Sequence, residues 1–429
     1  MADRRPAPAP EEKSSRASAL TSAAQYVLAM AKWIVLAAIL GAGCGAVGAA
    51  FHLSIDGVTA LRGQHPWLIW LLAPAGVLTL LLYRLCRVDL DAGTNLIFRA
   101  VTEGQRIPPL LAPLIFIGTV LSHLFGASVG REGAALQLGG SIGRSFGKLV
   151  RVDEADVRTL TMAGMTACFS ALFGTPLAAI FFVLEVTVVG TIRYYAFLPC
   201  GVAAYVAYLV SGLMGVEPMA YTLNDPIGLT GLTALQVAGL GAVTGLVGAV
   251  FCLAIHGAEH ALKRLVPSPY VRIALGGAAM SLLVWGFQLY SYAGAGSSLI
   301  TLATQGVANP WAFLIKMALT VLCVSVGFRG GEIVPTLFIG ATFGCVFGPV
   351  LGLPAGLSAG VGMISTFCAV TNAPIASLFL AVELFGLGQP ALFAIAVVAS
   401  FVTSAYTSLY TSQSTIYSKI KQKMFRSSD

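Results

Sequence analysis

Gly130-Arg131-Glu132-Gly133 sets an adjacent arginine and glutamate between two glycines, in a region that carries few other charges. Ionisable groups are costly in lipid, so one that persists at membrane depth marks a functional site by default. The residues that follow, Ala134–Gly139, are typical of the start of a helix. Such a helix would direct its free N–H groups and the positive end of its dipole at an anion. Glu132 would then compete with the anion for those donors, and it would also carry a proton.

The composition around this motif is that of a membrane protein. Of the 429 residues, 57% are hydrophobic and 10% are charged, whereas a soluble domain carries roughly 25% charged residues. Apolar runs recur that approach or exceed the roughly 20 residues a helix needs to cross a bilayer. These runs are Val27–Phe51, Trp67–Leu82, Leu110–Phe125, Gly228–Ile255 and Ala391–Val402. We therefore predict an all-α, polytopic membrane protein.

The net charge of +7 does not indicate a nucleic-acid partner, because the basic residues form no stripe interleaved with aromatic residues. They lie in the two ends of the chain and in short connections. Basic ends favour the cytoplasmic side of a membrane, so we expect both termini there, in a multi-pass protein of the inner (plasma) membrane. Residues 1–21 are predicted to be a disordered tail, and residues 418–429 a basic tail.

The eight cysteines are scattered singly and form no C-x-x-C pair, so we infer neither disulfides nor a metal site. One run, His256-Gly257-Ala258-Glu259-His260, fits the H-x-x-E-H spacing of zinc proteases. It ends an apolar run and precedes two basic residues, so we interpret it as an interfacial helix end. No cofactor is expected.

The chain matches itself when it is shifted by 198 residues, which indicates an internal repeat. Matching pairs include Gly164 with Gly362, Pro176 with Pro374, Glu185 with Glu383 and Arg131 with Arg329. Internal repeats in transporters are commonly inverted, with a substrate site at their interface made by the N-termini of broken helices. We predict one membrane domain over residues 22–417, with repeats at about 22–215 and 228–417. Its helices would be tilted and broken around a central anion site.

Three motifs resemble those of the CLC family of anion channels and proton-coupled exchangers. Gly130–Gly133 resembles its G-[K/R]-E-G-P motif, whose glutamate is the external gate and proton carrier. Residues 330–335, Gly-Gly-Glu-Ile-Val-Pro, resemble its G-G-x-F-x-P segment. Tyr417 resembles the tyrosine that contacts the central anion. The resemblance implies the CLC fold and a homodimer with one pathway per subunit.

Departures from the chloride members indicate a branch of the family. Gly93-Thr94-Asn95-Leu96-Ile97 stands where they have G-S-G-I-P, and Ala134 stands where they have proline. Val186 occupies the position of their internal proton-transfer glutamate, while Glu332 lies inside the second motif. Together these features resemble the fluoride branch, which exchanges fluoride for protons. Thr94 could donate a hydrogen bond as the chloride members' serine does.

We therefore predict a secondary active transporter, not an enzyme, which exports cytoplasmic fluoride in exchange for protons. Glu132 is the predicted gate and proton carrier, and Glu332 the second coupling acid or, alternatively, a structural acid at a helix start. Glu185 and Glu383 are expected to bond groups at helix ends. The anion-binding candidates are Thr94, Asn95, Gly130, Arg131, Gly133, Ala134, Ile333, Val334 and Tyr417.

Three alternatives stay open at this point. The first is a chloride or nitrate exchanger of the same fold. The second is a passive anion channel in which Glu132 serves only as a gate. The third is an intramembrane metalloprotease that uses His256, Glu259 and His260.

Overall fold

The structure, a computed structural model, describes residues 12–91, 93–223, 227–416 and 419. Within these residues the fold is all-α, as predicted, with sixteen α-helices and one pair of two-residue parallel strands. The helices are α1 (Glu12–Gln64), α2 (Leu72–Leu85), α3 (Thr94–Thr102), α4 (Leu111–Leu124), α5 (Glu132–Leu149), α6 (Glu154–Phe173), α7 (Pro176–Val186), α8 (Phe197–Leu213), α9 (Gly231–Leu265), α10 (Pro269–Gly286), α11 (Ser297–Thr304), α12 (Ala312–Val326), α13 (Ile333–Phe347), α14 (Ala355–Thr371), α15 (Pro374–Phe385) and α16 (Pro390–Thr403). The strands are β1 (Val188–Val189) and β2 (Ser414–Thr415).

Five helical segments of the described chain are long and apolar enough to cross a membrane. They are Ala24–Gln64, Pro66–Leu85, Tyr194–Leu213, Gly231–Leu265 and Ile333–Leu351. Several further apolar helices, including α4, α7 and α15, are too short to span a bilayer alone. Short helices that end inside a membrane domain leave backbone groups which must be satisfied by protein or by water in a cavity. The described chain thus combines membrane-spanning lengths with shorter apolar helices.

The helix contacts of the first half of the chain recur in the second half, between helices whose numbers are higher by eight. The contact of α5 with α6 recurs as α13 with α14, and that of α1 with α8 recurs as α9 with α16. Between the two halves, α7 packs against α15. The rings of Phe181 and Phe379 stack there at 4.4 Å, with an angle of 8° between their planes. These two residues occupy equivalent places in α7 and α15, so they meet close to an axis that relates the halves.

Glycines allow the closest helix contacts in each half. A Cβ on Gly139 in α5 would collide with the carbonyl oxygen of Gly164 in α6. In return, a Cβ on Gly164 would collide with the carbonyl oxygen of Gly139. Gly340 in α13 and Gly362 in α14 form the same reciprocal contact in the second half. Small residues at membrane helix interfaces let backbones approach closely. These glycines therefore set the separation between the helices that flank the central site.

The structure corrects the predicted N-terminal tail. We expected disorder up to residue 21, but α1 begins at Glu12 and is continuous from there to Gln64. Residues 12–21 contain alanine, leucine and lysine, which are strong helix formers, and they join an apolar helix that is already nucleated. Residues 1–11 and Tyr417 lie outside the described residues.

Candidate functional site

The two glycine-rich motifs meet through backbone hydrogen bonds. Gly130 N donates to Gly331 O at 2.5 Å, and Gly331 N donates to Gly130 O at 2.8 Å. This reciprocal pair forms an isolated antiparallel bridge. Each of the two glycines lies two residues before the start of its helix, α5 or α13. A reciprocal exchange of bonds there is the contact expected where inverted repeats face each other. The starts of α5 and α13 are thereby brought together.

Glu132, the first residue of α5, carries its carboxylate into this junction. The residue is 0% exposed. Its Oε2 accepts hydrogen bonds from Arg131 N at 2.9 Å and from Val334 N at 3.2 Å. Val334 lies in the first turn of α13, where backbone N–H groups have no partner within the helix. The carboxylate of one repeat therefore occupies a donor at the helix start of the other.

Gly133 leaves room for the residues that surround the junction. A Cβ at this position would lie 3.1 Å from Gly331 Cα, 3.3 Å from Thr94 Oγ1 and 3.6 Å from Glu332 Oε2. Two parts of the chain that are distant in sequence thus converge around one backbone position. A side chain there would fill the space between them.

An inner cavity of about 190 Å³ opens beside this cluster. Its lining includes Thr94, Asn95, Gln137, Glu332 and Tyr410. Thr94 Oγ1 lies 3.4 Å from Gly133 O and accepts from Gln137 Nε2 at 3.2 Å. A wider cavity of about 570 Å³ shares Asp91, Asn95, Glu259 and Lys263 with it. The inner cavity thus continues into the wider cavity. The shared wall carries two acidic residues, Asp91 and Glu259, and one basic residue, Lys263.

An outer cavity of about 510 Å³ is lined by Arg131, the neighbour of Glu132. Arg131 Nη1 pairs with Asp56 Oδ1 at 3.0 Å, and His52 Nε2 lies 2.9 Å from Asp56 Oδ2. Arg131 Nε lies 3.8 Å from Glu132 Oε1. Arg131 thus lies between two carboxylates, those of Asp56 and Glu132. Glu132 itself lines neither the outer nor the inner cavity, and it is flanked by residues that line each of them.

Arg329, the counterpart of Arg131 in the second repeat, positions a loop. Its Nη2 donates to Leu90 O at 2.6 Å, and its guanidinium lies 4.2 Å from the centre of the Tyr83 ring. Both partners precede α3, which carries Thr94 and Asn95. The arginine therefore holds the chain that leads into the anion-binding candidates.

Tyr410 lines the inner cavity and is not among the anion-binding candidates predicted from the sequence. It is 3% exposed, its ring lies edge-on to Phe98 at 4.8 Å, and its hydroxyl has no hydrogen-bond partner in the described chain. The family resemblance points instead to Tyr417, which lies outside the described residues. Both tyrosines follow an aliphatic residue near the C-terminus. A hydroxyl that lines the inner cavity without a partner distinguishes Tyr410 in three dimensions.

The remaining candidates fall into two groups. Thr94 and Asn95 begin α3 and line the inner cavity. Ala134 and Ile333 lie in the first turns of α5 and α13, fully buried, and line neither the inner nor the outer cavity. Only their backbone N–H groups are suited to contact an anion.

Glu185 and Glu383 confirm the expectation that they bond groups at helix ends. Glu383, at the end of α15, accepts from Leu177 N and Ala178 N at the start of α7, at 2.8 and 2.9 Å. Glu185, at the end of α7, accepts from Ile375 N and Ala376 N at the start of α15, at 3.3 and 3.0 Å. Each carboxylate thus caps the helix of the opposite repeat. Among the metalloprotease candidates, His256 Nε2 lies 3.3 Å from Leu409 O, and Glu259 pairs with Lys263 at 2.9 Å.

Residues 75–406 match the family model described as voltage gated chloride channel. The chain belongs to this family, the CLC family. The predicted resemblance is thereby confirmed, and with it the CLC fold.

This CLC protein is similar to several known members of the family. It is 40% identical over 382 residues to a chloride/fluoride channel protein of Pseudomonas syringae pv. tomato, which covers 87% of this chain and 84% of the relative. It is 35% identical to a solved CLC-type fluoride/proton antiporter, with a TM-score of 0.87 over 90% of this chain and 98% of that one. A slow cyanobacterial Cl⁻/H⁺ antiporter, at 19% identity and a TM-score of 0.75, shares the fold.

Proposed function

We propose that this CLC protein is a fluoride/proton antiporter that exports cytoplasmic fluoride by using the proton gradient. The observation that carries the proposal is the position of Glu132. Its buried carboxylate accepts a hydrogen bond from Val334 N at the start of α13, so it occupies a donor that suits an anion. A protonated glutamate would give up this donor. The carboxylate and an anion would then exclude each other at this donor, so protonation of Glu132 would permit anion binding, which couples the two ions.

The inner cavity offers donors that suit a small anion. Fluoride holds its water strongly, so it enters a site only where several donors replace that water. The Asn95 amide has two N–H donors and the Tyr410 hydroxyl has one. Thr94 Oγ1 lies between Gln137 and Gly133 O, so its hydroxyl is already engaged. This favours donation by Asn95 over the serine-like donation that a chloride exchanger would use.

The exchange cycle follows from the two cavities. A proton from the outer cavity neutralises Glu132, whose side chain then leaves the start of α13. Fluoride from the inner cavity takes the freed N–H donors, and Glu132 delivers its proton toward the inner side. Glu332, which lines the inner cavity close to Gly133, is the second coupling acid. When Glu132 returns as a carboxylate, it displaces the anion outward.

The relatives support fluoride as the transported anion. The solved structure at 35% identity is described as a fluoride/proton antiporter, and the relative at 40% identity as a chloride/fluoride channel. An exchange transporter of Cronobacter sakazakii described for H⁺ and Cl⁻ is 29% identical over 82% of this chain. We further propose a homodimer in the inner (plasma) membrane with both termini cytoplasmic.

The test is to reconstitute the purified protein in liposomes and to record fluoride, chloride and proton fluxes together. An outward fluoride gradient should drive protons inward against a proton gradient. A passive channel would move fluoride without moving protons uphill. A chloride exchanger would give the same uphill proton movement with chloride, and little with fluoride.

Replacing Glu132 by glutamine should abolish fluoride-driven proton movement, because the amide neither carries a proton nor forms the carboxylate. The control is Glu217→Gln, since Glu217 is exposed and lies away from both cavities. The control should keep wild-type coupling. Intact proton movement in Glu132→Gln would refute the role assigned to this residue.

A further inference from the structure

The chain after α16 runs past the inner cavity as an irregular segment, which we call the strap (residues 405–416). It carries Tyr410 into the cavity wall. Leu409 N donates to Val370 O at 2.9 Å, which joins the strap to α14. Near its end, Ser414–Thr415 form β2, which pairs with β1. The strap is thus held on both sides of Tyr410.

Ser412 in the strap makes two hydrogen bonds to Asn95. Its backbone N lies 3.1 Å from Asn95 Oδ1, and its hydroxyl Oγ lies 2.8 Å from the same atom. A backbone N–H can only donate. The amide atom that faces Ser412 is therefore the carbonyl oxygen, which settles the orientation of the Asn95 amide.

This orientation decides what Asn95 offers to an anion. With its oxygen bonded twice, Asn95 presents its NH₂ group elsewhere, and the described residues supply that nitrogen with no acceptor. Asn95 lines the inner cavity beside Tyr410, whose hydroxyl is also without a partner in the described chain. An amide rotated by half a turn would instead direct its carbonyl oxygen toward the cavity. That oxygen would repel an anion.

We propose that Ser412 is a positioning residue that fixes the Asn95 amide so that its N–H donors face the anion. The proposal deepens the proposed function, because it rests on Asn95 as a fluoride donor. The ligand class is a small, strongly hydrated anion, which gains most from two aimed donors. Ser412 itself stays outside the contact with the anion.

The position of Ser412 is secured by the residue that follows it. Gln413 Nε2 donates to Val186 O at 2.7 Å and to Thr371 O at 2.8 Å, and its Oε1 accepts from Asn372 Nδ2 at 2.9 Å. The strap backbone is therefore anchored without the Ser412 hydroxyl. Replacing this serine by alanine removes one of the two bonds to Asn95 and leaves the other.

The experiment compares Ser412→Ala, Ser412→Thr and Thr411→Ala in full-length protein reconstituted in liposomes. Fluoride efflux is measured against internal fluoride concentration. Ser412→Ala should raise the fluoride KM by about three- to tenfold and leave the maximal rate within about twofold, because the amide samples the wrong orientation. Ser412→Thr keeps the hydroxyl and should restore the wild-type KM. Thr411→Ala removes an exposed hydroxyl next to Ser412 and should change neither value.

A second arm uses Asn95→Ala, with and without Ser412→Ala. If Ser412 acts through Asn95, the double variant should have the same KM as Asn95→Ala alone. Fluoride titration of the detergent-solubilised variants provides a binding readout that does not depend on turnover. Elution as a single species by size exclusion confirms that each variant is folded.

Three results would overturn the proposal. The first is a wild-type KM in Ser412→Ala. The second is a further rise in KM when Ser412→Ala is added to Asn95→Ala. The third is a fall in maximal rate alone. Failure of the proposed function is separate: wild-type protein would then exchange chloride rather than fluoride, and the same variants would be compared with chloride.

Discussion

At the scale of single residues, the two oxygens of the Glu132 carboxylate have different surroundings. Oε2 accepts two backbone N–H groups, whereas Oε1 has no hydrogen-bond partner in the described chain and lies 3.8 Å from Arg131 Nε. A buried carboxylate oxygen without a hydrogen bond is unfavourable. Oε1 is therefore the atom that gains most from a proton, while Oε2 holds the side chain at the start of α13.

Tyr410→Phe should weaken fluoride binding by about tenfold or more, because a hydrogen bond to a charged group is worth about 1.5–3 kcal/mol. Folding should be little affected, since the ring keeps its contact with Phe98 and the lost hydroxyl has no partner in the described chain. Fluoride titration and thermal unfolding of the purified variant measure the two effects.

Tyr417→Phe is the matched comparison, because the family resemblance points to Tyr417 while the cavity wall contains Tyr410. We expect fluoride binding of this variant to equal that of the wild type. The opposite result, weak binding in Tyr417→Phe and normal binding in Tyr410→Phe, would return the central hydroxyl to Tyr417.

At the scale of helices, the glycine contacts between α5 and α6 should tolerate no added methyl group. Gly164→Ala should destabilise the protein by about 1–3 kcal/mol or more, because its Cβ would meet backbone that cannot move aside. Gly239→Ala in α9 is the control, since no atom lies within 4 Å of a Cβ built there. Thermal unfolding in detergent should separate the two variants, and equal midpoints would contradict the close packing.

The crossed caps of α7 and α15 give a second prediction at this scale. Glu383→Ala leaves Leu177 N and Ala178 N without their acceptor, which should cost about 2–4 kcal/mol in unfolding free energy. The number of protons moved per fluoride should stay unchanged, because this carboxylate caps a helix. Glu217→Ala serves as an exposed control. A changed ratio of protons to fluoride in a stable Glu383→Ala protein would assign this acid to the transport path.

The repeat was predictable because it leaves residue types at fixed spacing. The breaks before α5 and α13 are marked by glycines and charges, and Glu185 and Glu383 by their common offset of 198 residues. The strap was not predictable. Its bonds to Val370, Val186 and Asn95 join residues that are distant in sequence, and irregular chain has no periodicity to reveal such contacts. The choice between Tyr410 and Tyr417 depended on those contacts.

At the scale of the whole molecule, the outer and inner cavities lie on either side of the junction between Gly130 and Gly331. Arg131 lines the outer cavity, while Gly330 and Glu332 line the inner one. Glu132 is fully buried at this junction and lines neither cavity. The proposed exchange would therefore require Glu132 to move, while the surrounding helices keep their packing.

The two cavities should be accessible from opposite sides of the membrane. Thr59 lines the outer cavity and Glu103 lines the wider cavity, so a cysteine is introduced at each position in turn. Seven of the eight native cysteines are buried and Cys86 is partly exposed, so a Cys86→Ala background should label weakly. In intact cells a membrane-impermeant maleimide should label Thr59→Cys and leave Glu103→Cys unlabelled. The reason is that, with a cytoplasmic N-terminus, α1 enters the membrane from the cytoplasm and places Thr59 near the outer end of the helix. Inside-out vesicles expose the cytoplasmic side to the reagent, so they should reverse this labelling pattern. Labelling of both variants from one side would exclude alternating access through Glu132 and would also contradict cytoplasmic termini.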